Sequence, residues 1–301
     1  MTPLHEHDHE HDHEHDRGLA YDLPRLIGRR RALQVLGGAS LLALVGCASS
    51  NDDGAAGTTA GSGTSGTTGT SGTAATTGAT SATTAGTTVA TGDVDVIPEE
   101  TAGPYPADGS NGPNVLTDSG VVRSDIRSSF GSSSTTAEGI LTTVAFTVVD
   151  ADSDAPLPGA AVYAWHCDRE GRYSIYSEGA EDETYLRGVQ ETGADGAATF
   201  TSIYPGCYAG RWPHVHFEVY ASLADATSGA GPIATSQIAL PEDVSSAVYA
   251  TAGYEDSVGN ASQVSLESDN VFSDGWEAET PTASGSVEEG YTIALTVGVT
   301  A

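Results

Sequence analysis

The chain has 301 residues, with 41 acidic side chains against 11 basic ones, all of them arginine, and a formal net charge of −30. This excess of negative charge argues against nucleic acid as a partner, because phosphate backbones are bound by positively charged surfaces. It is typical of a solvated acidic surface in a salty or extracellular setting, and it disfavours anionic substrates unless a local cation such as Arg211 offsets the field.

Residues 1–47 are interpreted as an export signal with a leader rich in His and acidic residues. Residues 5–16 alternate His with Glu or Asp, a metal-chelating type of tract that we exclude from the functional site because it precedes the signal. An arginine cluster at 29–31 leads into a short apolar run that ends at Cys47, which is similar to a twin-arginine lipoprotein signal. Cys47 would then be lipidated and provide the membrane attachment. An ordinary secretory signal is the alternative, and both place the mature protein outside the cytoplasm.

Residues 48–93 consist almost wholly of Gly, Ser, Thr and Ala, with too few large apolar side chains to form a core. They predict a flexible linker. Residues 94–301 are predicted to form one folded domain, long enough for a sizeable core.

The predicted elements of this domain are strands. Short runs rich in β-branched and aromatic residues alternate with turns rich in Gly, Pro and Asp, and helical periodicity is weak. The predicted strands are 141–149, 161–167, 197–203, 214–221, 235–240 and 291–299, with a turn at 150–159. This pattern indicates an all-β fold, an antiparallel β-sandwich. It does not indicate an oligomeric state.

Potential metal ligands concentrate in residues 205–217. His214 and His216 lie two residues apart in an alternating run, so that in a strand both imidazoles leave one face. Val215 and Phe217 then face the core. One metal ion could bind both rings.

Two tyrosines are candidates for further ligands. Tyr208 follows a Pro-Gly turn that directs it back toward the histidines, and Tyr173 lies upstream where a strand runs into a turn. A phenol, with a usual pKa of about 10, binds as phenolate only when a strongly acidic cation displaces its proton. The pattern therefore favours non-haem Fe(III). Zinc or copper bound by His214 and His216 is an alternative, although such sites more often add thiolate, carboxylate or water.

These residues belong to an ordered set of motifs. The set comprises Trp-His-Cys-Asp-x-x-Gly-x-Tyr-Ser from residue 165, Leu-Arg-Gly-Val-Gln from 186, Pro-Gly-x-Tyr from 205 and Arg-x-x-His-x-His-Phe from 211. It resembles the intradiol ring-cleavage dioxygenases, which include catechol 1,2-dioxygenase and protocatechuate 3,4-dioxygenase. A weaker likeness runs from Glu100 to the C-terminus, about two thirds of the chain.

The resemblance implies one ferric ion per domain, held by Tyr173, Tyr208, His214 and His216. It implies that a catechol-type diol and O2 react to give a cis,cis-muconate-type diacid. Tyr208 would leave the metal and take a substrate proton. Arg211 and Gln237 would stabilise charge during the reaction, with a surface salt bridge as the alternative for Arg211. Tyr105 follows a Gly-Pro turn near the start of the domain, which makes it a candidate for the pocket wall, with a packing residue as the alternative.

The remaining cysteines, Cys167 and Cys207, form an even pair in an exported protein, which predicts a disulfide, with free thiols as the alternative. His166 is interpreted as structural. A non-catalytic extracellular β-sandwich that binds saccharide or protein remains the rival function.

Overall fold

The structure, a computed structural model, describes residues 94–300. The predicted signal with Cys47 and the linker 48–93 lie outside the described residues, so these assignments stay predictions.

The described residues form two sheets. Their strands are β1 (Leu141–Asp150), β2 (Ala155–Pro156), β3 (Ala161–Trp165), β4 (Arg187–Glu191), β5 (Ala197–Ile203), β6 (His214–Tyr220), β7 (Ala234–Ala239), β8 (Thr282–Ser286) and β9 (Gly290–Val299). One sheet has the order β2-β1-β9-β8, with β5 also paired to β1, and the other has the order β4-β3-β6-β7. The pairings are antiparallel except that β1 and β9 run parallel. The predicted all-β sandwich is confirmed.

The main core lies between the two sheets. Phe146 of β1 contacts Phe200 of β5 and Phe217 of β6, with ring centroids 6.1 and 5.1 Å apart. Val215 and Val219 of β6 also belong to this core. Because side chains alternate along a strand, the two histidines of β6 leave its opposite face, as predicted.

A second buried cluster covers that opposite face. It includes Ala107 and Val115 from the segment before β1, Trp165 of β3, and Tyr173 from the loop after β3. Both faces of β6 are therefore covered, and every residue of β6 is buried.

Three short helices were not expected from the sequence. They are α1 (Leu223–Ser228), α2 (Glu242–Tyr249) and α3 (Glu255–Ala261). The hydroxyl of Ser222 accepts a hydrogen bond from the Asp225 amide at the start of α1, and Gly229 ends that helix at a φ of 82°. Elements this short give the 3.6-residue period too few turns to be recognised. No helix within residues 94–300 has the length and apolarity needed to cross a membrane.

Candidate metal centre

Four side chains converge at the outer face of β6. The Nε2 atom of His214 lies 3.2 Å from Nε2 of His216, 3.2 Å from the Tyr208 hydroxyl and 3.3 Å from the Tyr173 hydroxyl. All four predicted ligand residues are thus brought together. Their donor atoms meet although Tyr173 and His214 are 41 residues apart in the chain.

The spacing of these atoms fits a metal ion. Donors roughly 2.0–2.1 Å from a common ion, at the angles of a four- or five-coordinate site, lie about 3.0–3.4 Å from one another. The Nδ1–H of His214 donates to the Trp212 carbonyl at 2.5 Å, which leaves the Nε2 lone pair directed at the other donors.

Burial sets the protonation of the four groups. It lowers the pKa of His214 to about 3, with Arg211 adding to the effect, and holds the pKa of His216 well below its usual value. Burial also raises the pKa of Tyr208 to about 12 and that of Tyr173 well above 10. Without a cation the site therefore holds neutral imidazoles, ready to ligate, and neutral phenols. A strongly acidic cation is needed to displace the phenolic protons.

Neighbouring strands and the chain before β1 fix the histidines. His216 lies opposite Trp165 across the β3–β6 pair, and the two rings stack with centroids 4.9 Å apart and planes 3° apart. Gly103 covers the other side of His216. Its φ is +71°, and a Cβ there would come within 3.3 Å of the His216 ring, so both the backbone conformation and the close approach suit glycine.

The two tyrosines are held by loops that contact each other. Gly206, before Tyr208, donates its amide to the Asp168 carbonyl at 2.9 Å, in the loop that also carries Tyr173. Gly171 in that loop lies against the Cβ of Tyr208. Tyr173 is buried, whereas Tyr208 is partly exposed.

Arg211 and Gln237 both lie at the site. Nη1 of Arg211 lies 3.5 Å from Nε2 of His214, and Nη2 donates to Oε1 of Gln237 at 2.7 Å. Gln237 is directly opposite His216 in the β6–β7 pair, and its Nε2 donates to the Thr101 carbonyl at 2.8 Å. The Gln237 amide thus connects Arg211 to the segment before β1 that covers the histidines.

Asp269 is a site residue that sequence reasoning missed. It is fully buried, and its Oδ2 accepts hydrogen bonds from Nε of Arg211 at 2.9 Å and from the Trp212 amide at 2.7 Å. Its Oδ1 accepts from the amides of Val271 and Phe272. Burial opposes its ionisation, but Arg211 and the backbone amides outweigh it and lower the pKa of Asp269. No motif spacing relates Asp269 to Arg211 in the sequence.

Tyr105 lies beside the predicted ligands. Its ring is 4.8 Å from that of Tyr173, and its carbonyl accepts from Nη1 of the fully buried Arg187 at 2.8 Å. Arg187 also donates from Nε to the Ser174 hydroxyl and from Nη2 to the Ser174 carbonyl, next to Tyr173. The sequence motif around Arg187 was noted, but neither the strand β4 nor this contact was expected.

The cysteines differ from the prediction. Cys167 and Cys207 are free, buried thiols with no disulfide between them. Each Sγ instead donates to a backbone carbonyl at 3.4 Å, Cys167 to Gly206 and Cys207 to Arg211. Burial raises the pKa of both thiols, which disfavours the thiolate needed for oxidation.

His166 lies away from the four donors. Its ring nitrogens contact the Cys167 carbonyl and the Ser202 hydroxyl, each at 2.7 Å. Its interpretation as structural fits these contacts.

Comparisons with known proteins indicate similarity to dioxygenases. Residues 112–227 match a family model described as dioxygenase, and that range contains the four donor residues and Arg211, but neither Gln237 nor Asp269. A catechol 1,2-dioxygenase of Acinetobacter lwoffii is 34% identical over 88 residues, 23% of this chain and 28% of that protein. A chlorocatechol 1,2-dioxygenase of Rhodococcus opacus is 38% identical over 56 residues, 19% of this chain and 22% of that protein.

These matches thus span less than a third of either relative. Among solved structures, an intradiol ring-cleavage dioxygenase from Tetranychus urticae superposes with a TM-score of 0.53 at 23% identity. That alignment covers 68% of this chain and 94% of the other, and it supports the fold.

Proposed function

We propose that this chain, which belongs to the intradiol ring-cleavage dioxygenase family, cleaves a catechol-type diol between its two hydroxyl-bearing carbons with O2, giving a cis,cis-muconate-type diacid. One observation carries the proposal. Nε2 of His214 lies 3.2–3.3 Å from the hydroxyl oxygens of Tyr173 and Tyr208 and from Nε2 of His216. A saccharide-binding surface or a zinc or copper site does not account for two phenol oxygens, one of them on the fully buried Tyr173, at that point.

Tyr173, Tyr208, His214 and His216 would hold one ferric ion. The chemistry such an ion would supply is Lewis-acid activation of a diol that chelates it through both oxygens, which would make the aromatic ring electron-rich enough to react with O2. Buried phenols suit this cation because its charge offsets the cost of ionising them away from water.

The two tyrosines would act differently. Tyr173 is fully buried against Tyr105 and stays in place as a ligand. Tyr208 is partly exposed, so its side chain would have room to turn toward the incoming diol, where its oxygen would accept the proton of a substrate hydroxyl.

Arg211 would stabilise negative charge that develops on the substrate. Its Nη1 lies beside His214, while Asp269 and Gln237 hold its other nitrogens, so the donor is oriented before substrate arrives. Such a preorganised donor needs no rearrangement during the reaction.

The direct test is the reaction with ¹⁸O2. We expect the iron-loaded protein to consume one O2 per catechol and to release a ring-opened diacid carrying both ¹⁸O atoms. His216→Ala, which removes a ligand, should abolish the reaction. An iron-loaded protein that consumes no O2 with any simple catechol would refute the proposal.

We also propose that the enzyme acts outside the cytoplasm, attached to the membrane through Cys47 or secreted. The support is the signal-like sequence before Cys47 and the linker-like composition of residues 48–93. Metabolic labelling with a fatty acid should mark the wild-type protein and not Cys47→Ser. Labelling that persists in the variant would contradict attachment through Cys47.

A further inference from the structure

We infer that Asp269 makes this site select uncharged catechols over catechols that carry a carboxylate. The inference rests on the proposed function and adds to it a substrate class and a specificity-determining residue. Its basis is the pairing of Arg211, whose Nη1 lies beside Nε2 of His214, with a buried carboxylate.

The charge of Arg211 is already matched within the protein. Nε of Arg211 donates to Oδ2 of Asp269 at 2.9 Å, and the two side chains are 10% and 0% exposed. A close ion pair acts on a third charge as a dipole, whose attraction falls off faster with distance than that of a single cation. Arg211 can therefore donate hydrogen bonds to a substrate oxygen without presenting a net positive charge to a ring substituent.

The other arginines of residues 94–300 are also engaged. Three form ion pairs with acidic side chains: Arg127 with Asp125, Arg169 with Glu138, and Arg172 with Asp168 and Glu170. Arg123 and Arg187 donate to backbone carbonyls, and Arg187 is fully buried. The chain contains no lysine that could substitute for them.

Because the donors of Arg123 and Arg187 are taken by protein oxygens and Arg211 is paired with Asp269, a carboxylated catechol would lose hydration without gaining a hydrogen-bonded cationic partner. Moving an unpaired carboxylate into a buried site is costly, and the net charge of −30 adds repulsion on approach. A neutral ring substituent of the same size has neither disadvantage. The selectivity follows from the pairing of charges and not from pocket volume.

The test compares 3,4-dihydroxybenzamide with 3,4-dihydroxybenzoate, which are matched in size and differ in charge. Two readouts are measured at high salt, which screens surface charge: the ratio of kcat/KM and the ratio of Kd from anaerobic absorbance titrations. Ratios within one preparation do not depend on the folded or iron-loaded fraction. We expect the wild-type protein to favour the amide about tenfold or more.

Asp269→Asn leaves the Arg211 charge unmatched, and it should reduce the preference by about threefold or more. Asp269→Glu keeps the carboxylate and should retain the preference, which separates charge from packing. Asp125→Asn, at a surface ion pair, is the matched control and should leave the ratio unchanged.

Equal or better use of the benzoate by the wild-type protein would overturn the inference while leaving the proposed function intact. If the Asp269→Asn and Asp125→Asn variants showed the same preference for the amide over the benzoate, the role of Asp269 would be overturned. A protein that binds and cleaves neither diol would overturn the inference and the proposed function together.

Discussion

Tyr173 and Tyr208 offer the same type of donor atom to the candidate metal centre from different surroundings. Tyr173 is enclosed by Tyr105 and by the loop that Arg187 holds in place, whereas Tyr208 is partly exposed on a turn. A ligand that must dissociate during turnover needs room to move, which favours Tyr208 for that role.

We predict that Tyr208→Phe retains iron but lowers kcat by about 10²-fold or more, the usual contribution of a positioned proton acceptor. Tyr173→Phe, the matched variant, should instead lose iron, because it lacks the hydroxyl oxygen and water has little access to the buried position to replace it. Metal content and steady-state turnover of both variants check this. Wild-type turnover in Tyr208→Phe would contradict its role.

The four candidate ligands could be singled out in the sequence because each lies in a contiguous motif. His214 and His216 need only the alternation of a strand to share a face, and the turn before Tyr208 is local. Asp269 could not be predicted, because its contact with Arg211 joins residues 58 positions apart and follows from how the loop after α3 folds back. Long-range pairing of this kind leaves no spacing pattern in a single sequence.

At the scale of elements, the turn before Tyr208 is positioned by a close backbone approach. A Cβ at Gly206 would lie 2.5 Å from the Arg169 carbonyl oxygen, so the two loops that carry the tyrosines could not keep their spacing. Both loops must therefore shift if this position bears a side chain.

We predict that Gly206→Ala lowers the free energy of unfolding by about 1–3 kcal/mol, the usual cost of overpacking, and weakens iron binding. Gly259→Ala is the control, because Gly259 is exposed on α3 and an added Cβ meets nothing within 4 Å. It should raise the free energy of unfolding by about 0.5–1 kcal/mol. Urea unfolding and iron titration check both variants, and equal stability of Gly206→Ala and wild type would contradict the close approach.

Strands were predicted better than helices. The strand Ala197–Ile203 has the predicted bounds, and β1, β6, β7 and β9 differ from their predicted ranges by one residue at an end or at both. The strand predicted for 161–167 ends instead at Trp165, since the chain leaves the sheet to form the turn at Asp168. β4 was missed because Arg, Gly and Gln give it little strand propensity. Its extended conformation is instead stabilised by pairing with β3.

At the scale of the whole molecule, a buried carboxyl group couples stability to pH. Glu279 is fully buried beside β7, and its Oε1 accepts from the Ser236 hydroxyl at 3.2 Å. Burial, with the neighbouring Glu100, raises the pKa of Glu279 from 4.5 to about 8. Between these two values the unfolded chain releases a proton that the folded chain keeps, so stability falls as pH rises from about 4.5 to about 8.

We predict that Glu279→Gln, which stays neutral, stabilises the protein more at pH 9 than at pH 5. Glu277→Gln, at an exposed carboxylate two residues away, should show little difference between the two conditions. Thermal or urea unfolding at both pH values measures the effect. A Glu279→Gln protein with the same pH dependence as wild type would show that Glu279 is ionised in the folded protein.

We propose that two phenols and two imidazoles hold a ferric ion that a diol can also bind. The most direct measurement is the visible spectrum of the purified, iron-loaded protein, before and after catechol is added without oxygen. We expect a red-purple band from charge transfer between tyrosinate and iron, and a shift of that band when catechol binds. A protein that stays colourless after ferric loading would contradict the ligand assignment. A coloured protein whose spectrum does not change when catechol is added would contradict the binding of the diol to the iron.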